Sequence, residues 1–298
     1  MRIGAFELQE PLPELREPHA LTMLRPWVDV GSVGSLALTR VERHLQAHEL
    51  GKLARPGNFF DFTRYRPMLS TQDGARVVTV PNSYVNYARR ADGHDFVFLH
   101  LLEPHMFGED YTDSVVQLLK EIGVKRYVLV GGMYDAVPHT RPLMVTGSIA
   151  GHLTKQSAEQ AKVETSTYQG PTTINYLTNQ QAAAAGIETA SLIVHLPQYA
   201  QLDEDFHGAA KILDVLCNMY GFPDNIIDRK RGEAQYAEIT KAVNARMRPV
   251  IQQLERNYDA RQMAEQQKRD DAPLSPEIEK FLRQIDESFD TGDEGKRK

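Results

Sequence analysis

The hydrophobic pattern divides the chain near residue 228. Before that point, short apolar runs alternate with amphipathic stretches. Residues 75–80 (ARVVTV), 95–102 (DFVFLHLL), 125–130 (KRYVLV) and 190–196 are rich in the β-branched and aromatic residues that strands favour. A shorter apolar run, residues 26–30 (PWVDV), ends in GSVGS, after which Leu36, Val41 and Leu45 suggest a helix. In residues 110–122, Val115, Leu118, Leu119 and Ile122 recur at helical spacing, and Gly123 provides the stop. Residues 171–185 read as a helix ended by Gly186. Residues 206–220 carry Ala209, Ile212, Leu213 and Leu216 on one stripe, with Gly221 behind them. Strands alternating with helices predict an α/β fold whose mostly parallel sheet is covered on both faces.

Beyond residue 228 the pattern changes. Ile239, Val243, Met247, Val250, Ile251 and Leu254 form a stripe at spacings of three and four. This predicts one long helix from about 233 to 268, kinked at Pro249, with a polar second half. Pro273 and Pro276 end it, and Ile278, Phe281, Leu282, Ile285 and Phe289 predict a short amphipathic helix before a polar end. The chain thus reads as a domain over 1–228 and a charged helical tail over 229–298. The tail stripes must find a surface, either their own domain or a partner.

Charge sharpens this division. The 298 residues carry a formal net charge of −6. Residues 229–298 hold 15 of the 34 basic and 14 of the 40 acidic residues, which leaves residues 1–228 at −7. Nucleic-acid binders present basic stripes that neutralise phosphates, so this balance argues against one. The apolar runs are strand-sized, far below the roughly 20 residues of a membrane span. No apolar signal segment opens the sequence, so a cytoplasmic setting is expected. The single cysteine, Cys217, excludes an internal disulfide framework and sits among apolar residues as a buried thiol.

Three segments carry candidate chemistry. Gly31, Ser32 and Gly34 stand where a strand turns into a helix, a place where backbone amides can hold an anion. Glu103 and His105 follow an apolar strand and suit acid–base work. Gly131 and Gly132 open a polar loop with His139 and Arg141, at a strand end where α/β folds bind ligands. Each has a plain structural alternative: tight turns, satisfied polar groups or a subunit contact. No metal site and no cofactor is expected, and no catalytic nucleophile stands out. The acidic group Asp203, Glu204 and Asp205 reads as charge at the start of the following helix.

Several segments together, in order, resemble the proteasome assembly chaperone family. They are VDVGSVGSLA, YVLVGGMYDAVPHTRPLMVTGS, the Gly170-Pro171 helix opening, GIETASLIVHLPQYAQ and HGAAKILDVLCNMYG. The resemblance spans roughly residues 24–227. It implies a three-layer α/β/α domain similar in architecture to purine nucleoside phosphorylases, homo-oligomers, and an ATP-independent role in protein assembly. Archaeal relatives dock through a C-terminal hydrophobic–Tyr–any-residue tail; this sequence ends Gly295-Lys296-Arg297-Lys298 instead. The expected function is therefore a non-catalytic assembly chaperone or scaffold. Its docking candidates are Val243, Met247, Val250, Ile251, Leu254, Ile278, Phe281, Leu282 and Ile285. The alternative is an enzyme or small-molecule binder that holds a nucleoside-like or small anionic ligand with Gly31, Ser32, Gly34, Glu103, His105, Gly131, Gly132, His139 and Arg141.

Overall fold

The computed structural model describes residues 1–151, 156 and 163–270. In chain order the first elements are β1 (Arg2–Ile3), β2 (Phe6–Leu8), β3 (His19–Arg25), α1 (Val33–Leu45), β4 (His48–Leu53), β5 (Met68–Gln72), β6 (Ala75–Thr79), β7 (Tyr84–Ala88) and β8 (Phe96–Leu102). After them come α2 (Gly108–Ile122), β9 (Arg126–Asp135), β10 (Val145–Ala150), β11 (Glu164–Thr165), α3 (Ile174–Ala184), β12 (Glu188–Pro197), α4 (Phe206–Tyr220), α5 (Arg229–Ala242) and α6 (Arg248–Asp270).

Among the described residues, all strands but two join one sheet in the order β1-β2-β4-β7-β8-β3-β9-β12-β10-β11. Its centre, β8-β3-β9-β12, is parallel, as expected. The flanking β7, β4, β2 and β10 run antiparallel to their inner neighbours, so the whole is a mixed sheet. β5 and β6 pair only with each other, as a separate hairpin.

The central strands look uniformly apolar because both faces are buried. Leu21 and Met23, Phe96 and Phe98, Val128 and Val130, and Leu192 and Val194 meet α1, α4 and Tyr236 of α5 on one face. Ala20 and Leu24, Val97 and Leu99, and Tyr127 and Leu129 meet α2 and α3 on the other. The period of two assigns alternate residues to opposite layers. Each fully buried side chain contributes about 1.5–3 kcal/mol of transfer free energy. Three α/β/α layers result. Cys217 lies buried in the first layer, where desolvation pushes its thiol to about 11, so it is an inert packing residue.

Some elements differ from expectation. Residues 26–30 are not a strand; the strand is the preceding His19–Arg25, and Trp27 is exposed. The run 75–80 is a strand, but in the solvent-facing hairpin. The predicted long tail helix is two helices. Pro249 stands in the first turn of α6, where its missing N–H leaves no hydrogen bond unmade, so it starts a helix rather than kinking one. Asn244 sets that start, its Oδ1 accepting the amides of Arg246 (3.0 Å) and Met247 (3.1 Å). Packing continues through residue 228. Asp228 caps α5, and Gly232 of α5 backs closely onto His207 of α4. Residues 271–298, including Ile278, Phe281, Leu282 and Ile285, lie outside the described residues.

Candidate functional site

The two glycine segments meet, and they meet tightly. Val28, Asp29 and Val30 run beside Gly131 and Gly132. The Gly132 amide donates to the Val28 carbonyl at 3.0 Å, and Asp29 and Gly132 form a parallel bridge. A Cβ on Gly131 would lie 2.0 Å from the Val28 carbonyl oxygen, and one on Gly34 2.8 Å from that of Val130. These glycines therefore allow backbone to pack on backbone. Gly31 takes φ +59°, and its carbonyl accepts the Asp205 amide at 2.7 Å. Ser32 donates its hydroxyl to the Asp203 carbonyl at 3.0 Å.

The start of α1 already holds an anion, and it comes from this chain. The Asp29 carboxylate accepts the Ser35 amide (3.0 Å) and the Ser35 hydroxyl (2.6 Å). Burial raises the Asp29 pKa, partly offset by these bonds. Asp205 plays a similar part at α4, accepting the Gly208 amide (2.7 Å) and the Tyr236 hydroxyl (3.0 Å). This matches its expected place at a helix start.

Glu103 and His105 lie elsewhere, at the end of β8. The Glu103 amide extends the ladder to the Arg25 carbonyl, and its Oε1 accepts the Ile174 amide at the first turn of α3 (3.0 Å). Burial raises its carboxyl pKa. His105 Nδ1 accepts the Asp61 amide at 3.2 Å, and its ring packs on Tyr65, whose hydroxyl donates to the Glu103 carbonyl. Together these residues anchor residues 54–66, the segment leading into the β5–β6 hairpin. His100 meets Glu42 at 2.8 Å.

His139 and Arg141 form a third place, under the tail. His139 meets the Tyr199 hydroxyl through Nδ1 (2.6 Å) and Thr240 of α5 through Nε2 (3.1 Å); burial lowers its pKa. Arg141 grips α6. Its Nε and Nη2 reach the two Asp259 oxygens (2.8 and 2.9 Å), and Nη1 reaches Glu255 (3.2 Å). The paired carboxylates push the Arg141 pKa above the ordinary arginine value. Arg261 and Gln262 bind Glu164 further along. Ile251 is buried, Val243, Met247 and Leu254 are half-buried, and Val250 is exposed. The tail through α6 thus docks on its own domain, held by the loop that sequence reasoning marked for a ligand.

Many of the large apolar side chains left exposed lie toward the carboxyl edge of the parallel strands. Trp27 follows β3 and is 69% exposed; Met106 and Phe107 follow β8, Phe107 at 63%. Met68, Leu69, Val78 and Val80 lie exposed on or beside the hairpin, and Tyr176 and Leu177 in the first turns of α3. A cleft of about 420 Å³ opens there, between the hairpin and the ends of β3, β7 and β8. Sequence reading missed this region. Its signal was Asp73-Gly74 between alternating runs, a hairpin pattern whose turn takes positive φ at both residues.

Among the described residues no group of three or more His, Cys, Asp or Glu side chains could hold a metal ion, and no helix is long and apolar enough to cross a membrane.

The model of the PAC2 family matches residues 23–245, which takes in both glycine segments, Glu103, Arg141 and α5. The chain belongs to the PAC2 family. Solved structures share this PAC2 fold. A Mycobacterium tuberculosis protein of unknown function aligns at TM-score 0.76 and 24% identity, over 90% of this chain and 93% of its own. A proteasome-assembly chaperone homologue from the same organism aligns at 0.67 and 21%, over 76% and 95%. An archaeal proteasome activator from Pyrococcus furiosus aligns at 0.60 and 16%, over 80% and 97%. No curated protein matches the sequence. The whole of α6 lies beyond the span matched to PAC2.

Proposed function

We propose that this chain is a non-catalytic assembly chaperone or scaffold that binds protein partners, further copies of itself among them, without ATP. The observation that carries the reading is the apolar carboxyl edge. Trp27, Met68, Leu69, Val78 and Phe107 are large, exposed and grouped at one end of the sheet. Large apolar side chains left exposed along one edge of a fold mark interaction sites, and Trp and Phe are frequent anchors in them. Membership of PAC2 supports the reading, as does the fold shared with structures described as a proteasome-assembly chaperone homologue and a proteasome activator. The proposed ATP independence follows from the family resemblance; at the start of α1 the Ser35 amide and hydroxyl are already taken by Asp29. The proposed setting is the cytoplasm.

The test is affinity purification of the tagged full chain from its host, beside a Trp27→Glu/Phe107→Glu variant, with sedimentation velocity on both. The reading expects specific protein partners with the wild type and their loss with the variant at unchanged thermal stability. Equal recovery from both would contradict it.

A further inference from the structure

We infer that the cleft beneath the β5–β6 hairpin is a binding site for a small organic anion with an apolar body: a carboxylate or phosphate monoester on an aliphatic or aromatic frame. Its volume, about 420 Å³, falls within the range of small-molecule sites, about 300–1,000 Å³. The walls are mostly apolar, with Pro26, Met68, Val80 and Leu102 among them. Two cations stand in these walls, Arg25 at the end of β3 and Arg66 ahead of the hairpin. Among the described residues neither guanidinium makes a hydrogen bond or a salt bridge, although the Arg25 charge is near enough to Asp29 and Tyr65 to favour their ionised forms. The contrast with Arg141 is direct, since that side chain is held by Asp259 and Glu255. A planar guanidinium presents donors matched to carboxylate and phosphate oxygens. Apolar walls beside two guanidinium groups that no salt bridge holds therefore suit an amphiphilic anion better than a bare ion or an uncharged hydrocarbon. The cleft also lies outside the carboxyl ends of β3 and β8, where open α/β sheets bind ligands. Tyr65, a further wall residue, is fixed by the Glu103 carbonyl and the His105 ring. That shape is therefore set by the core strand β8 as well as by the hairpin.

The inference does not depend on the partner reading. Titration calorimetry on the full chain tests it with four probes: octanoate, phenyl phosphate, 1-octanol and inorganic phosphate. Saturable single-site binding is expected for octanoate and phenyl phosphate, with 1-octanol and inorganic phosphate at least tenfold weaker. An Arg25→Gln/Arg66→Gln variant should bind octanoate at least tenfold more weakly with an unchanged melting temperature. Met68→Glu, which sets a carboxylate in the wall, should weaken octanoate similarly. Octanol binding as tightly as octanoate would overturn the proposal. So would full octanoate affinity in the double arginine variant, or binding to anionic lipid vesicles with none to free octanoate. Trp27 and Phe107 are not among the cleft walls, so failure here is distinguishable from failure of the partner reading.

Discussion

Two regions near the carboxyl edge of one sheet have opposite characters. The segment from Gly131 to Arg141 is rich in residues that look chemical, yet each is engaged within the chain. The glycines accommodate the Val28 backbone, His139 bridges Tyr199 and Thr240, and Arg141 clamps α6. The region of Arg25, Trp27, Met68 and Phe107 looks unremarkable in sequence but keeps large apolar side chains in water. The difference teaches that residue type alone does not locate function. What distinguishes an interaction site is side chains left unsatisfied by the fold, at some cost in solubility.

The strongest challenge to the first half of that contrast is Gly131→Ala. Its Cβ would collide with the Val28 carbonyl oxygen at 2.0 Å, a backbone atom that cannot swing aside as a side chain could. A loss of about 3 kcal/mol in urea unfolding is expected. A change below about 0.5 kcal/mol would show that the glycine does not serve close packing.

Next in size is a pH effect that calibrates global stability away from both regions. His19 begins β3, buried, and desolvation aided by His94 and Arg126 lowers its pKa to about 3. The unfolded chain binds a proton near pH 6.5 and the folded chain does not. This contribution is therefore complete above pH 6.5 and lost on acidification. From pH 7 to 5 the loss attributable to His19 is about 2 kcal/mol. A His19→Gln variant should show a correspondingly shallower fall in urea midpoint over that range; an equal fall would refute the assignment. The Arg141 clamp should persist over the same range, because Arg141 lowers the Asp259 pKa further below the ordinary carboxylate value.

Arg141→Ala then acts locally. Amide hydrogen exchange in residues 248–264 should speed up while the core strands β3 and β9 keep their protection. Unchanged exchange in α6 would mean that Ile251 and its neighbours hold the helix without the clamp. Smallest in stability is Trp27→Glu/Phe107→Glu, expected within about 0.5 kcal/mol of wild type in urea unfolding because both side chains are exposed.

The fold was legible where burial is two-sided. The strands β8, β9 and β12 and the helix α4 carry apolar residues on every turn or pleat that the layers need. The strand His19–Arg25 was hidden because it opens on a histidine, contains Thr22 and ends on an arginine, while the apolar PWVDV run beside it is a turn. The marginal strands β4 and β7 pair antiparallel with one face partly wet, which weakens the pattern. Of the candidate site, sequence marked residues that are structurally important, but at three separate places. Glu103 and His105 came nearest, since they anchor the segment bounding the cleft. Trp27, Met68 and Phe107 were not legible because exposure depends on tertiary packing, and an apolar residue in a loop reads the same whether covered or bare.

The central claim is that this protein acts through its apolar carboxyl edge and not through the loop bearing His139 and Arg141. Quantitative affinity purification from the host, with wild type, Trp27→Glu/Phe107→Glu and Arg141→Ala run side by side, tests it most directly. The account predicts that partners are retained by Arg141→Ala and lost by the double variant, with all three proteins folded. Partners retained by the double variant and lost by Arg141→Ala would contradict it.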